Sequence, residues 1–182
     1  MPNTQAVGVA YSDPELVSGT TITSAAISGG TITGATLSAS TLVASNVRSG
    51  FTVAQQGATI ATTGNSDVFV TVPVAGTLSA AWFAGVDGLT ANDTNFITFS
   101  ITNLATTGAG TTVMLAATDA NTTKATGGTA LTANARRVLT LSGTAANLAV
   151  SAGDRLRIRA AATGTLANTV TFPVYSLQFS IP

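Results

Sequence analysis

Apolar residues recur along the first third of the chain with a period that belongs to neither a helix nor a flat strand. They stand at Ile22, Ile27, Ile32, Leu37, Leu42 and Val47, five residues apart without a slip. In register the units read TTITS, AAISG, GTITG, ATLSA, STLVA and SNVRS. The residue two before each apolar position is Thr20, Ala25, Gly30, Ala35, Ser40 or Ser45, small in all but the first. A helix repeats near 3.6 and a strand at 2, and Gly, Ser and Thr oppose a helix. A short fixed period of this kind predicts stacked β-solenoid turns, each pointing one apolar side chain inward.

After Phe51 the pattern changes to short runs of alternation separated by turn residues, with no helical periodicity of any length. Strands are expected over residues 54–62, 68–72 (stopping at Pro73), 76–83, 95–101, 112–116, 137–141, 148–150, 155–160 and, as one long strand, 168–181. Ser151 to Asp154 reads as a turn, and 119–132 (DANTTKATGGTALT) as a polar, exposed loop. Trp82, within LSAAWFAG, is expected in the core. Strands at this spacing predict an antiparallel β-sandwich, jelly-roll-like. The fold class is therefore all-β, in three parts: an extended N-terminal arm at 1–19, a pentad-repeat β-stalk at 20–50 and a sandwich at 51–182. Fully extended, the arm could reach roughly 60 Å.

Composition sharpens this picture. Of 182 residues, 34 are Thr and 32 are Ala, and charged residues make up 8%, with seven basic and seven acidic side chains. So neutral and apolar a surface suits a chain whose exterior lies in permanent contacts, since net charge normally keeps free proteins apart. There is no Cys and no His. That removes disulfides, thiol nucleophiles, the commonest general base and the commonest metal ligand. Ser without His lacks its triad base, and no phosphate-binding Gly loop occurs. After Glu15 the only acids are Asp67, Asp87, Asp93, Asp119 and Asp154, a poor supply for two-carboxylate hydrolysis. The chain reads as no enzyme and implies no cofactor. The single lysine, Lys124, argues against a nucleic-acid partner, and no run approaches a membrane span.

Three groups of residues carry the remaining chemistry. In the arm, Val7, Val9, Tyr11, Asp13, Pro14, Glu15 and Leu16 could order against a partner; the alternative is a frayed terminus. Arg155, Arg157 and Arg159 alternate with Leu156, Ile158 and Ala160, which puts three guanidiniums on one strand face. They could pair with carboxylates of a neighbouring subunit or grip an anionic glycan or phosphate, or simply form the solvated face of a half-buried strand. Asp87, Asn92 and Asp93 flank the turn DGLTAND and offer oxygen ligands to a hard cation, against a reading as solvated turn acids. Arg136 and Arg137 read as a strand entry.

The pentads resemble the pentapeptide-repeat pattern, although the residue before each centre is Ala, Thr or Asn rather than mainly Asn or Asp. That resemblance implies four pentads per coil, so six pentads give too few turns for a core in one chain. Three chains wound together could supply the missing neighbours, with Ile22, Ile27, Ile32, Leu37, Leu42 and Val47 closing around a three-fold axis; alternatively the pentads stack on the following domain. The absence of Asp and Glu from 20–50 argues against a DNA-mimic role.

The lead VGVAYSDPEL, the TITGATLSAS repeat and the stretch AVSAGDRLRIRAAATGT together resemble accessory structural proteins of tailed bacteriophages, nearest to head-fibre or capsid-decoration proteins. The resemblance implies a homotrimer on the capsid exterior that cements the shell, with 1–19 anchored on the major capsid protein. Similar repeats in tail fibres imply the alternative, a receptor-binding module that recognises host surface glycan.

Overall fold

The computed structural model describes residues 50–181, and the arm and pentad residues up to Val47 lie outside the described residues. Nine strands follow in chain order: β1 Gly50–Gln56, β2 Asn65–Thr71, β3 Gly76–Ala84, β4 Phe96–Asn103, β5 Thr112–Val113, β6 Arg137–Leu139, β7 Ala149–Val150, β8 Arg155–Thr163 and β9 Val174–Ser180. Among the described residues the only helical pieces are two 3-10 turns, Asp119–Asn121 and Ala145–Leu148. All strand pairs are antiparallel. They build two sheets, one ordered β1-β9-β3-β6 with β7 also on β3, the other β2-β8-β4-β5. The described part is a β-sandwich, as its alternation predicts.

Alternation decides which side chains meet between the sheets. The first sheet turns Leu78, Ala81, Phe83, Tyr175, Leu177 and Phe179 inward. The second contributes Val68, Val70, Ile97, Phe99, Ile101, Leu156, Ile158 and Ala160. Phe83 joins the layers, its ring 4.7 Å from Phe99 of the opposite sheet and 5.3 Å from Tyr175. Burial of such side chains is worth about 1.5–3 kcal/mol each, which makes this interlayer the main source of stability.

Several sequence expectations shift. β3 carries a register irregularity between Leu78 and Ala80. This bulge changes the parity of the strand: Leu78 is buried before it, Ala81 and Phe83 after it. Trp82 therefore points out of the core and is half-buried, contrary to its expected core position. The expected long strand at 168–181 is broken. Phe172 has φ 47° and Pro173 has no N–H to donate, so regular pairing starts only at Val174. Upstream, Val170 forms an isolated bridge with Ile60. The strand expected over 54–62 instead runs from Gly50 to Gln56 and stops before Gly57, one residue into the range read as stalk.

The polar stretch 119–132 is no simple exposed loop. Asn121, Thr122 and Thr123 are buried within it. Their polar atoms replace strand partners: the Ile97 N–H donates to Thr123 Oγ1 at 2.8 Å, and Asn121 Nδ2 donates to the Ala116 and Thr140 carbonyls at 2.8 Å each.

Candidate functional site

β8 is the second strand of its sheet, flanked by β2 and β4. With Leu156, Ile158 and Ala160 buried, alternation forces Arg155, Arg157 and Arg159 onto the outer face. The register sets their neighbours. Arg159 lies between Asp67 and Ser100, Arg157 between Phe69 and Thr102, and Arg155 opposite Thr71.

The three guanidiniums are not equivalent. Arg159 is engaged: its Nε and Nη2 donate to the two Asp67 carboxylate oxygens at 2.6 Å each, a bidentate fork. The hydrogen bond from Arg159 holds the Asp67 carboxyl below its ordinary pKa, and the same bond raises that of Arg159. Arg155 lies over the Phe69 ring, 5.4 Å from its centroid, and that ring is 49% exposed. Arg157 has a buried Nε with no hydrogen-bond partner. Thus one arginine of the row is neutralised within the chain, by Asp67 rather than by a neighbouring subunit.

A groove runs beside this row. On the side away from β8, β4 pairs with β5 at Thr102–Asn103 and meets the chain again at Ile97 and Thr98, which bond to Thr123 and bridge to Thr122. Between these points residues 115–119 swing away and leave a cavity of about 400 Å³ along Thr98, Phe99 and Ser100. At one end Lys124 lies 5.0 Å from the Phe96 ring centroid and pairs with Asp119 at 2.8 Å.

The rim of that groove depends on Arg137, which opens β6 as the expected strand entry but has a buried role that its sequence position does not signal. Arg137 is buried and donates to three carbonyls, Thr129 at 2.8 Å, Ala120 at 3.0 Å and Thr122 at 2.6 Å. Its guanidinium also lies 5.1 Å from the Phe99 ring centroid. Burial pulls its pKa down to about 10, so it stays charged at neutral pH. An Arg-Arg dipeptide gives no signal of which residue turns inward. β6 settles it by burying Arg137 and Leu139 and leaving Val138 exposed.

The turn acids proposed as cation ligands are committed elsewhere. Asp87 accepts from the backbone N–H of Thr171 at 2.8 Å and from its hydroxyl. Asp93 accepts from the Thr126 N–H at 2.8 Å and its hydroxyl at 3.0 Å. Asn92 Oδ1 caps the turn, accepting from the N–H groups of Thr94 and Asn95 at 2.8 and 2.7 Å. Thr171 lowers the pKa of Asp87 and Thr126 that of Asp93, each by hydrogen bonding. Among the described residues no three acidic, His or Cys side chains cluster as a metal site. The acids act as clasps between loops, which neither the cation reading nor that of merely solvated turn acids anticipates.

Trp82 packs outside the first sheet, with the Arg136 guanidinium 4.9 Å from its ring centroid. The proposed anchor residues Val7, Val9, Tyr11, Asp13, Pro14, Glu15 and Leu16 lie outside the described residues, as do Ile22, Ile27, Ile32, Leu37, Leu42 and Val47. No family model, curated protein or solved structure matches the chain.

Proposed function

We propose that this chain is a structural virion protein that decorates and stabilises the outside of a bacteriophage capsid as a homotrimer. The observation that carries the reading is the unbroken five-residue period from Ile22 to Val47, followed within three residues by the first strand of a sandwich. One central apolar residue per pentad makes a stripe, and copies facing one another around a three-fold axis would turn that stripe into a core. The strand orders β1-β9-β3-β6 and β2-β8-β4-β5, with β1 to β4 alternating between the sheets, support the finer reading of the sandwich as a jelly roll.

In this reading 1–19 binds the major capsid protein, 20–50 joins three chains, and each sandwich projects from the shell. Three linked arms hold far more tightly than one whenever all can engage together. No enzymatic role is proposed. Deleting residues 1–18 is expected to abolish capsid binding while leaving the trimer, measured by co-sedimentation with shells and by native mass; unchanged binding would put the anchor elsewhere.

A second reading, a tail-fibre or receptor-binding module that recognises host glycan, is favoured by the exposed Phe69 beside the arginine row.

A further inference from the structure

The geometry points to the outer face of β2, β8 and β4 as a binding site for an acidic glycan, with Arg157 and Arg155 holding carboxylates and Phe69 the sugar ring. This deepens the glycan reading, on which it rests, and is independent of whether the chain sits on head or tail.

Among the described residues Arg159 alone of the three guanidiniums has a carboxylate partner, and Asp67 is the only acid on the outward positions of β2, β4 and β8. Among the described residues neither Arg155 nor Arg157 has an ion-pair partner, although Arg157 lies within the field of Asp67; the two stand two residues apart on one strand, about 6.6 Å along it. Extended strand spacing presents them to successive anionic groups of one ligand. Arg157 is the better placed. Its Nε is buried without a partner and out of a ligand's reach, so a carboxylate would be held by the terminal nitrogens of a guanidinium that makes no side-chain hydrogen bond among the described residues.

The surroundings select the rest of the ligand. The neighbouring outward positions are Thr71, Thr98, Ser100 and Thr102, hydroxyl groups that both donate and accept and so match sugar hydroxyls. Phe69 is 49% exposed, and a large exposed ring flanked by hydrogen-bonding groups suits the apolar face of a pyranose. The groove along Thr98 and Ser100 extends the same surface, because Ser100 pairs with Arg159. Small inorganic anions would satisfy the arginines but leave the ring and hydroxyls unused. An acidic peptide would use the arginines without the hydroxyl array. An oligosaccharide carrying carboxylates uses all three features.

The test is calorimetric titration of the full chain with hexagalacturonate, with neutral galacto-oligosaccharide and oligoglutamate as comparators. Saturable binding of hexagalacturonate that weakens about tenfold or more in Arg157→Gln and in Phe69→Ser, while Arg136→Gln on the other sheet binds normally, is the expected result. Thermal melting of each variant separates lost binding from lost folding. Binding should also weaken with added salt. Equal binding of the neutral sugar overturns the acidic-glycan assignment and leaves the glycan reading standing. Stronger binding of oligoglutamate overturns it in favour of a protein partner. No binding of either sugar removes both the assignment and the glycan reading, without touching the capsid role.

Discussion

A buried guanidinium with no carboxylate beside it survives only if neutral acceptors surround it. Arg137 has three, all backbone carbonyls from 120, 122 and 129, and each bond fixes a different point of the 119–132 segment. Arg137→Met is expected to cost about 2–4 kcal/mol in chemical denaturation, because three carbonyls lose their donor at once. A cost below about 0.5 kcal/mol would show that the segment holds itself in place. Tyr175 presents the opposite case. Its ring is buried, and its hydroxyl has no partner. Burial foremost, with the Asp67 charge adding to it, raises its pKa and keeps it neutral. Tyr175→Phe is therefore expected to leave stability unchanged or raise it by up to about 1 kcal/mol, and a clear loss would contradict the orphaned hydroxyl. The carboxylates set the response to acid. Asp67, Asp87 and Asp93 all titrate below the ordinary 3.8 in the folded chain. The folded state thus binds fewer protons than the unfolded chain over that range. Their stabilisation is complete above the ordinary carboxylate range and is lost as pH falls through the folded values. Denaturation midpoints should fall below about pH 4, and Asp67→Asn should make that fall shallower. An unchanged acid profile in that variant would contradict the Arg159 clasp. These residue roles were the least legible in the sequence. The arginine row was readable because three residues alternated with three apolar ones, whereas Arg137, Asp87 and Asp93 acquire their roles from partners 8 to 84 positions away.

At the scale of elements, strand alternation located most of the sandwich, and its failures have local causes. The bulge in β3 exchanges the faces of Trp82 and Phe83. Nothing in GTLSAAWFA marks where an extra residue enters, and the apolar surroundings of Trp82 alone point it inward. The energetic consequence is testable. Phe83→Ala is expected to cost about 3–5 kcal/mol and Trp82→Ala clearly less, about 1–2 kcal/mol; the reverse order would restore the unbulged strand. At β9, Phe172 and Pro173 set the break, and only the proline could have been read in advance. Gly50 marks the other end of the same pairing. A Cβ there would collide with the Phe179 carbonyl oxygen across the β1–β9 ladder, so the first strand needs glycine at its first residue.

At the scale of the whole molecule, the proposal joins two different kinds of order. The sandwich holds a core of its own, drawn from both sheets. Between 22 and 47 the pentads carry one central Ile, Leu or Val each, with Val43 the one further large apolar side chain, too sparse a supply for a core within one chain. Replacing Ile32 and Leu37 with Asp is expected to convert trimer to monomer in native mass measurements, because the variant would set six charges against an apolar axis. A trimer of normal stability would refute the inter-chain stalk. The sparse charge, 8% of residues, fits a chain that spends its life in contact with copies of itself and a shell. The most direct measurement of the central claim is the number of copies of this chain per purified virion, by quantitative mass spectrometry against the major shell protein. Shell decoration by trimers predicts a multiple of three, on the order of tens to hundreds of copies. A handful of copies per particle would contradict it and place the chain on the tail.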